Sequence, residues 1–516
     1  MRIGIDVSMT ADAKTGLPSY GRSLVEGFAR IDQQNEYWLY RVTWSAFPAK
    51  LDAAVAPRKG NFKTVLGNIA RKKLARRWHN ENRKTLLGPP PDIYLSPFHN
   101  APERWFPRLI CVFHDVAFRV HPEFSTEANR VYCEQQWERA TRYADRILTV
   151  SHFSKAEIVQ HMGIAADRVD VVHEAADPMF CQVNGARIPD RLKAQIGNRP
   201  FVLYVGSIEP RKNLTTLIEA FATMHSRTKS NAVLAIAGGS GWKNSAIYAA
   251  IEQYGMKDKV HFLGFVTDPE LIELYNTCTL FCYPSIYEGF GLPVIEAMSC
   301  GAPVITCRVA SLPEVGGDAA LYIDDPRDTA ALSRLLQEVI EDPALQAKLR
   351  RDGLAQAARF HWDRTAQETL SLMQRTVANH SLDRTAVRMG VDERGLVDGF
   401  YDTEPAPEGA YRWMQSRGVL RLFLRTLSNA LQVVAASPLK EATATLIAKV
   451  NGCTIGTALL YHGPRTFTFA LPAHLPHQEL VELVLEINYA MPPAMKGGDT
   501  RDLGARVYQV AFVQVD

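Results

Sequence analysis

The chain has 516 residues, 47% of them hydrophobic and 22% charged, the balance of an ordinary globular protein of roughly three domains at about 150 residues each. A formal net charge of +3 is too small to imply nucleic-acid binding, and no apolar run reaches the ~18–20 residues of a membrane-spanning helix. Eight cysteines are too few for a disulfide framework, and spacings such as Cys278/Cys282 and Cys300/Cys307 match no zinc pattern, so buried reduced thiols in a cytoplasmic protein are expected.

From Met1 the sequence runs straight into a strand pattern, without a charged segment followed by a long apolar one, so no secretory leader is expected. Up to about residue 375, short apolar runs alternate with helical patterns, the signature of parallel α/β units. Strands are predicted over 3–7, 93–95, 109–113, 146–150, 201–205, 233–237, 280–283 and 303–306. Several are apolar throughout, as strands covered on both faces are. Ser154 and Glu157 read as a capping box opening one helix, and Asn213 as the entry to another whose apolar positions are Leu217, Ile218, Ala220 and Phe221.

The polar, turn-rich stretch 182–199 divides this region into α/β domains at 1–185 and 186–378. Two such domains in series bind ligand in the cleft between them, at strand C-terminal ends. After about residue 385 the pattern changes to period-two alternation at 465–469 and 481–487, and Asn451-Gly452 reads as a hairpin turn. An all-β sandwich is predicted over 390–516.

The charge is uneven: between Arg58 and Lys84 stand ten Lys or Arg residues and one acid, Glu81. The part from Ala70 to Trp78 has an amphipathic pattern. It suits either contact with anionic lipid headgroups, at about 1 kcal/mol per basic residue, or a solvated helix face.

The most informative stretch runs from Pro284 through Tyr287, Glu288, Gly289, Phe290, Gly291 and Leu292 to Glu296. It follows an apolar strand, contains a Gly-x-Gly turn and enters a helix, so its backbone N–H groups form an anion site. Glu288 on the turn and Glu296 one to two turns into the helix can face one crevice from different heights. Either alone would read as a surface helix residue. Upstream, Arg211 and Lys212 stand at a helix start, where cations oppose the helix dipole and invite an anion. Without the surrounding turn they would be a solvated pair.

This pattern resembles the E-x7-E signature of the retaining family 4 glycosyltransferases, an α/β class of GT-B architecture with two Rossmann-like domains across a cleft. Gly206 to Leu214 is similar to the family's phosphate-binding segment, and Ala237-Gly238-Gly239, Phe262-Leu263-Gly264 and Leu312-Pro313-Glu314-Val315 fall in the family's order. The resemblance covers about residues 1–375 and is most specific over 201–320. It implies an acceptor-binding first domain, a nucleotide-sugar-binding second domain and a last helix crossing back to the first.

The resemblance also assigns roles. Glu288 lies against the donor sugar and, with His114 at the end of its strand, forms the catalytic group. Arg211 and Lys212 hold the pyrophosphate, the amides of Phe290, Gly291 and Leu292 touch sugar hydroxyls or phosphate, and Glu296 takes the ribose hydroxyls. A structural, hydrogen-bonded histidine is the alternative for His114, and His99, His121 and His173 are read as structural. Gly16 carries over from a loop that approaches the donor phosphate, although Thr15 stands where the family has glycine. Ser207 stands where some members have a phosphate-binding arginine, a charge that Arg211 is expected to supply.

No Asp-x-Asp occurs, so no metal or other cofactor is expected. The expected activity is transfer of a hexose, best read as mannose from GDP-mannose, to a saccharide or polyprenyl-linked acceptor in surface polysaccharide or lipopolysaccharide synthesis. The protein is expected at the cytoplasmic membrane face, with 58–84 as a peripheral contact to anionic membrane. The alternatives are a UDP-sugar donor, a nucleotide-sugar epimerase, or a non-catalytic glycan-binding protein. In the third domain, Tyr401, Tyr411 and Trp413 are either sugar-stacking or core residues.

Overall fold

The computed structural model describes residues 1–8, 16–40, 60–64, 91–99, 108–228, 230–239, 241, 244–379, 386–388, 396–404, 411–424, 428–437, 444–473, 475, 479–489 and 505–513. The first unit is a parallel sheet of β1 (Arg2–Asp6), β2 (Glu36–Tyr40), β3 (Phe62–Thr64), β4 (Ile93–Ser96), β5 (Leu109–Val112), β6 (Arg146–Thr149) and β7 (Val169–Val171). Its spatial order is β3-β2-β1-β4-β5-β6-β7. The second sheet holds β8 (Phe201–Val205), β9 (Val233–Ala237), β10 (Val260–Gly264), β11 (Leu280–Tyr283), β12 (Val304–Cys307) and β13 (Leu321–Ile323), ordered β10-β9-β8-β11-β12-β13. Strand order reverses at β1/β4 and at β8/β11, which opens a crevice at each set of C-terminal ends.

The strands read from apolar runs are present within a residue of their expected bounds. Those that escaped, β2, β3, β7, β10 and β13, are short or interrupted by polar residues such as Glu36, Asp170 and His261. The expected capping box is displaced by one turn. The helix His152–Met162 starts earlier because Ser151 caps it, accepting the Ser154 N–H. Ser154 is therefore inside the helix and its hydroxyl is free to bond elsewhere.

One continuous core runs from Ile3 and Leu24 through Phe201 and Leu280 to Met373. The helix Trp362–Ala378 returns to the first unit: Asp363 pairs with Arg30 of the helix Gly16–Ile31, and Arg108 beside β5 donates to the Thr376 carbonyl at 3.2 Å.

The third unit comprises β14 (Ala386–Arg388), β15 (Leu396–Glu404), β16 (Tyr411–Leu424), β17 (Ala430–Ala436), β18 (Ala444–Val450), β19 (Cys453–Leu460), β20 (Arg465–Ala470), β21 (Glu479–Tyr489) and β22 (Ala505–Val513). Its ladders are antiparallel along β19-β18-β21-β16-β22-β17-β20. The two ends of this path meet, since Gly456 in β19 lies directly against Phe469 in β20. The sheet thus folds round a core of Leu420, Leu446, Val481 and Val510. Asn451 and Gly452, with φ of 49° and 83°, make the two-residue turn between β18 and β19.

All eight cysteines are free; Cys181 and Cys453 are exposed, contrary to the expectation of burial, because they lie in an interdomain segment and at a hairpin. No helix among the described residues is long and apolar enough to cross a membrane. The basic segment from Ala70 to Trp78, Thr15, and the side chains of Tyr401, Tyr411 and Trp413 lie outside the described residues.

Candidate active site

The second sheet places two loops side by side. After β8 the chain makes a short turn at Pro210–Lys212, and Asn213 follows in the left-handed region with φ of 57°. Its amide donates to the carbonyls of Pro284 (3.2 Å) and Pro326 (2.6 Å), anchoring the entry of helix Leu214–Arg227. The loop after β11 is stitched to the same turn, because Ile286 N–H donates to the Arg211 carbonyl at 2.9 Å and Ser285 Oγ lies 3.2 Å from the same oxygen. The two loops therefore move as one body.

Glu288 lies at their junction, 7% exposed. Lys212 Nζ is 2.6 Å from its Oε1 and an Arg211 terminal nitrogen 2.8 Å from its Oε2. The Tyr283 hydroxyl (3.0 Å) and Ser285 Oγ (2.5 Å) also donate to Oε1. Burial opposes ionisation here, but the Arg211 and Lys212 charges and these donors hold the carboxyl down at about 2, so it is a carboxylate. Lys212 is lowered by burial and by its cationic neighbour Arg211, against the pull of Glu288. Two of its three hydrogens go to Glu288 and to the Tyr283 hydroxyl.

Arg211 is more fully committed than its position in the sequence suggests. It also donates to the Tyr287 carbonyl (2.7 Å) and to Glu209 Oε1 (3.0 Å). The guanidinium thus braces the Glu288 loop from beneath.

The carbonyls of that loop are turned inward. Ser311 Oγ donates to the carbonyls of Glu288 (2.9 Å) and Phe290 (2.7 Å), and Ser151 Oγ to that of Gly289 (2.7 Å). The amides of Phe290, Gly291 and Leu292 have no hydrogen-bond acceptor among the described residues. Gly291 (φ 110°) caps the helix Leu292–Ser299, so three N–H groups gather at its positive end, as an anion site requires.

Glu296 is the fifth residue of that helix and is half-buried, with the Tyr275 hydroxyl at 3.3 Å. Burial outweighs that hydrogen bond and, with the charges of Asp268, Asp177 and Glu174, pushes the carboxyl up to about 7. Gly16 opens the first helix and is exposed, with open space where a Cβ would point.

His114 follows β5 and is buried. Its Nδ1 is 2.7 Å from Glu174 Oε1 and its Nε2 3.1 Å from the Pro97 carbonyl. Only an imidazolium satisfies two acceptors at once. Burial disfavours the charge, but Glu174 and the Pro97 carbonyl outweigh it and raise the pKa. His99 is the converse: burial and the His114 charge lower it to about 4, and its Nε2 accepts the His114 backbone N–H at 2.6 Å.

The two α/β units touch at this site. A Cβ on Gly289 would fall 2.3 Å from the His114 carbonyl oxygen, so no other residue permits this approach. Ser154 Oγ donates to the carbonyls of both His114 (2.9 Å) and Gly289 (3.1 Å). Across the seam, Glu314 accepts the His152 N–H (3.0 Å) and pairs with His173. The structure thus brings Arg211, Lys212 and Glu288 into direct contact and places His114 at the seam behind Gly289. Sequence reasoning missed Glu174, Ser151, Ser154, Tyr283 and Ser285. An acid at the end of a strand was a readable signal for Glu174 alone.

A sequence-family model described as "Glycosyl transferases group 1" matches residues 189–356, and one described as "Glycosyltransferase Family 4" matches 40–180. The O-antigen chain mannosyltransferase B of Escherichia coli is 35% identical over 280 residues, which cover 54% of this chain and 73% of that protein. The serotype-specific mannosyltransferase WbdA of Escherichia coli is 30% identical over 356 residues, 66% of this chain, but the match spans only 42% of WbdA. Among solved structures, the sucrose-phosphate synthase of Thermosynechococcus elongatus superposes with a TM-score of 0.56 at 21% identity, covering 73% of this chain and 99% of that one. That likeness establishes the two-unit GT-B architecture.

Proposed function

The chain belongs to the group 1 and family 4 glycosyltransferases, and on that premise we propose that it transfers mannose from GDP-mannose, with retention, to a growing surface polysaccharide. The single observation that carries the chemistry is the Glu288 carboxyl group, buried against Lys212 and Arg211 beside three unpaired amides. The choice of mannose is supported by the two Escherichia coli relatives, which carry mannosyltransferase names.

The donor pyrophosphate lies on the amides of Phe290, Gly291 and Leu292, with the remaining Lys212 hydrogen on its oxygens. These fixed dipoles and the ammonium stabilise the charge that develops as the C1–O bond to phosphate breaks. The acceptor hydroxyl attacks C1 on the same face, and its proton passes to the departing phosphate oxygen. The products are the glycoside and GDP. Glu288 offsets positive charge on the sugar ring, Glu296 receives the ribose hydroxyls, and Gly16 borders the donor phosphates. No metal or other cofactor takes part in this scheme.

Residues 1–185 bind the acceptor, a polyprenyl-linked saccharide, and 186–378 the donor. The basic segment 58–84 contacts anionic lipid at the cytoplasmic membrane face. The test is a calorimetric and thermal-shift titration with GDP, UDP, GDP-mannose and UDP-glucose, without added metal. Selective stabilisation by the guanosine compounds is expected. Preference for the uridine compounds would overturn the donor, and no response to any would overturn the enzyme reading.

A further inference from the structure

We propose that the seam between the two α/β units holds a divalent transition-metal ion on His152, His173 and Glu314, and that the ion clamps the units together. One ligand atom from each of the three side chains lies within 4.8 Å of the others. They come from both sides of the seam: His152 opens the helix His152–Met162 and His173 follows β7, whereas Glu314 belongs to the helix Leu312–Gly316 of the second unit.

The surroundings orient each ligand. Glu314 is fixed by backbone, with both carboxylate oxygens 3.0 Å from the His152 N–H and one 3.4 Å from that of Phe153. His173 pairs with Glu314 through Nε2, and its ring is held edge-on against Phe360 at 5.7 Å and near Phe290 at 6.1 Å. The Thr365 hydroxyl holds its carbonyl at 2.8 Å. The His152 ring stands 5.7 Å from that of His173, is exposed, and makes no hydrogen bond of its own among the described residues. A structural hydrogen bond explains two of these groups and leaves the third imidazole unused.

Two imidazoles and one carboxylate favour zinc or nickel over magnesium or calcium, which prefer oxygen ligands. Binding displaces the hydrogen shared by His173 and Glu314 to solvent, the two side chains part to admit the ion, and water completes its coordination. Amide donors behind a ligating carboxylate are the outer shell such sites use. Because the ligands come from both units, bound metal favours the closed cleft and slows the opening needed for substrate exchange. The site therefore inhibits and does no chemistry.

The experiment uses the full chain stripped by chelator, titrated with Zn2+ by calorimetry and chelator competition, beside a transfer assay. One ion per chain is expected. His152→Ala should weaken binding by more than about tenfold, since losing a direct ligand costs at least as much as losing an outer-shell partner. That variant should turn over normally without zinc and resist inhibition by zinc, whereas the unaltered chain loses activity as the ion binds. His173→Gln provides a second test of affinity. Absence of binding at about a hundred micromolar, or equal affinity in His152→Ala, would overturn the site. Binding that leaves turnover unchanged would overturn the clamp. The calorimetric arm is independent of the proposed donor, so failure of that reading is separable from failure of this one.

Discussion

Glu288 Oε1 lies 2.6 Å from Lys212 Nζ, and the two side chains are 10% and 8% exposed, so neither charge is solvated in bulk water. Loss of Glu288 strands the buried Lys212 charge, at a cost of about 3–5 kcal/mol, whereas loss of Lys212 leaves Glu288 paired with Arg211 alone and costs less. Glu288→Gln and Lys212→Met should each lower the thermal midpoint by several degrees. The double variant should recover part of the combined loss, because Arg211 retains Glu209. All three should transfer sugar at least about a hundredfold more slowly, as expected when a transition-state electrostatic group is removed. Strictly additive midpoints in the double-mutant cycle would show that the pair is not coupled.

The same carboxylate sets a direction for acid stability. Its pKa is depressed to about 2 from the usual 4.5, so its contribution is complete above about pH 4.5 and disappears as pH falls towards 2. Denaturation curves across that window should be steeper for the unaltered chain than for Glu288→Gln. Parallel acid limbs would rule out Glu288 as a principal contributor.

Glu296 has the opposite sign. With a pKa near 7, it carries a proton below neutrality, and burial of its charge disfavours folding increasingly from about pH 4.5 to 7. Two ribose hydroxyls stabilise the carboxylate, so affinity for the nucleotide sugar should rise with pH up to about 7 and then level. A sugar diphosphate is fully ionised throughout, which leaves the protein as the source of the change. Calorimetry between about pH 5.5 and 8.5, roughly one and a half units either side of the inflection, should show this rise in the unaltered chain and a flat profile in Glu296→Gln. A rise of equal size in the variant would remove Glu296 from the nucleotide site.

The framework of the fold and the second-unit site was legible because both are local in sequence. Strands buried on two faces leave apolar runs, and Glu288, Gly291 and Glu296 fall within one turn and one helix. The seam was not legible, because its contacts join residues far apart: Ser151 to Gly289, Glu314 to His152, and Glu174 to His114. The displaced helix start has the same origin. Both Ser151 and Ser154 suit a cap by local chemistry, and Ser154 is instead used across the seam. Arg211 reads as a phosphate ligand from its neighbours in sequence, yet its hydrogen bonds go to Glu209, Tyr287 and Glu288.

Glu174 is a positioning residue for His114, and its effect is separable from a purely structural one by pH. With Glu174 ionised, His114 is held as an imidazolium above its ordinary 6.5 and donates to both Glu174 and Pro97. Glu174→Gln retains an acceptor for Nδ1 but removes the charge, so burial again favours the neutral ring, which donates only one of the two hydrogen bonds. If the cation behind Gly289 supports the negative charge of the departing diphosphate, kcat/KM should fall by about tenfold, equivalent to ~1.4 kcal/mol of transition-state stabilisation. The descending limb of its pH profile should also move to lower pH, because His114 then loses its proton earlier. Glu174→Asp, which restores the charge, should move the limb back. A uniform loss at all pH values in Glu174→Gln, with the limb unmoved, would show that Glu174 only packs the strand end and that the charge of His114 plays no part in transfer.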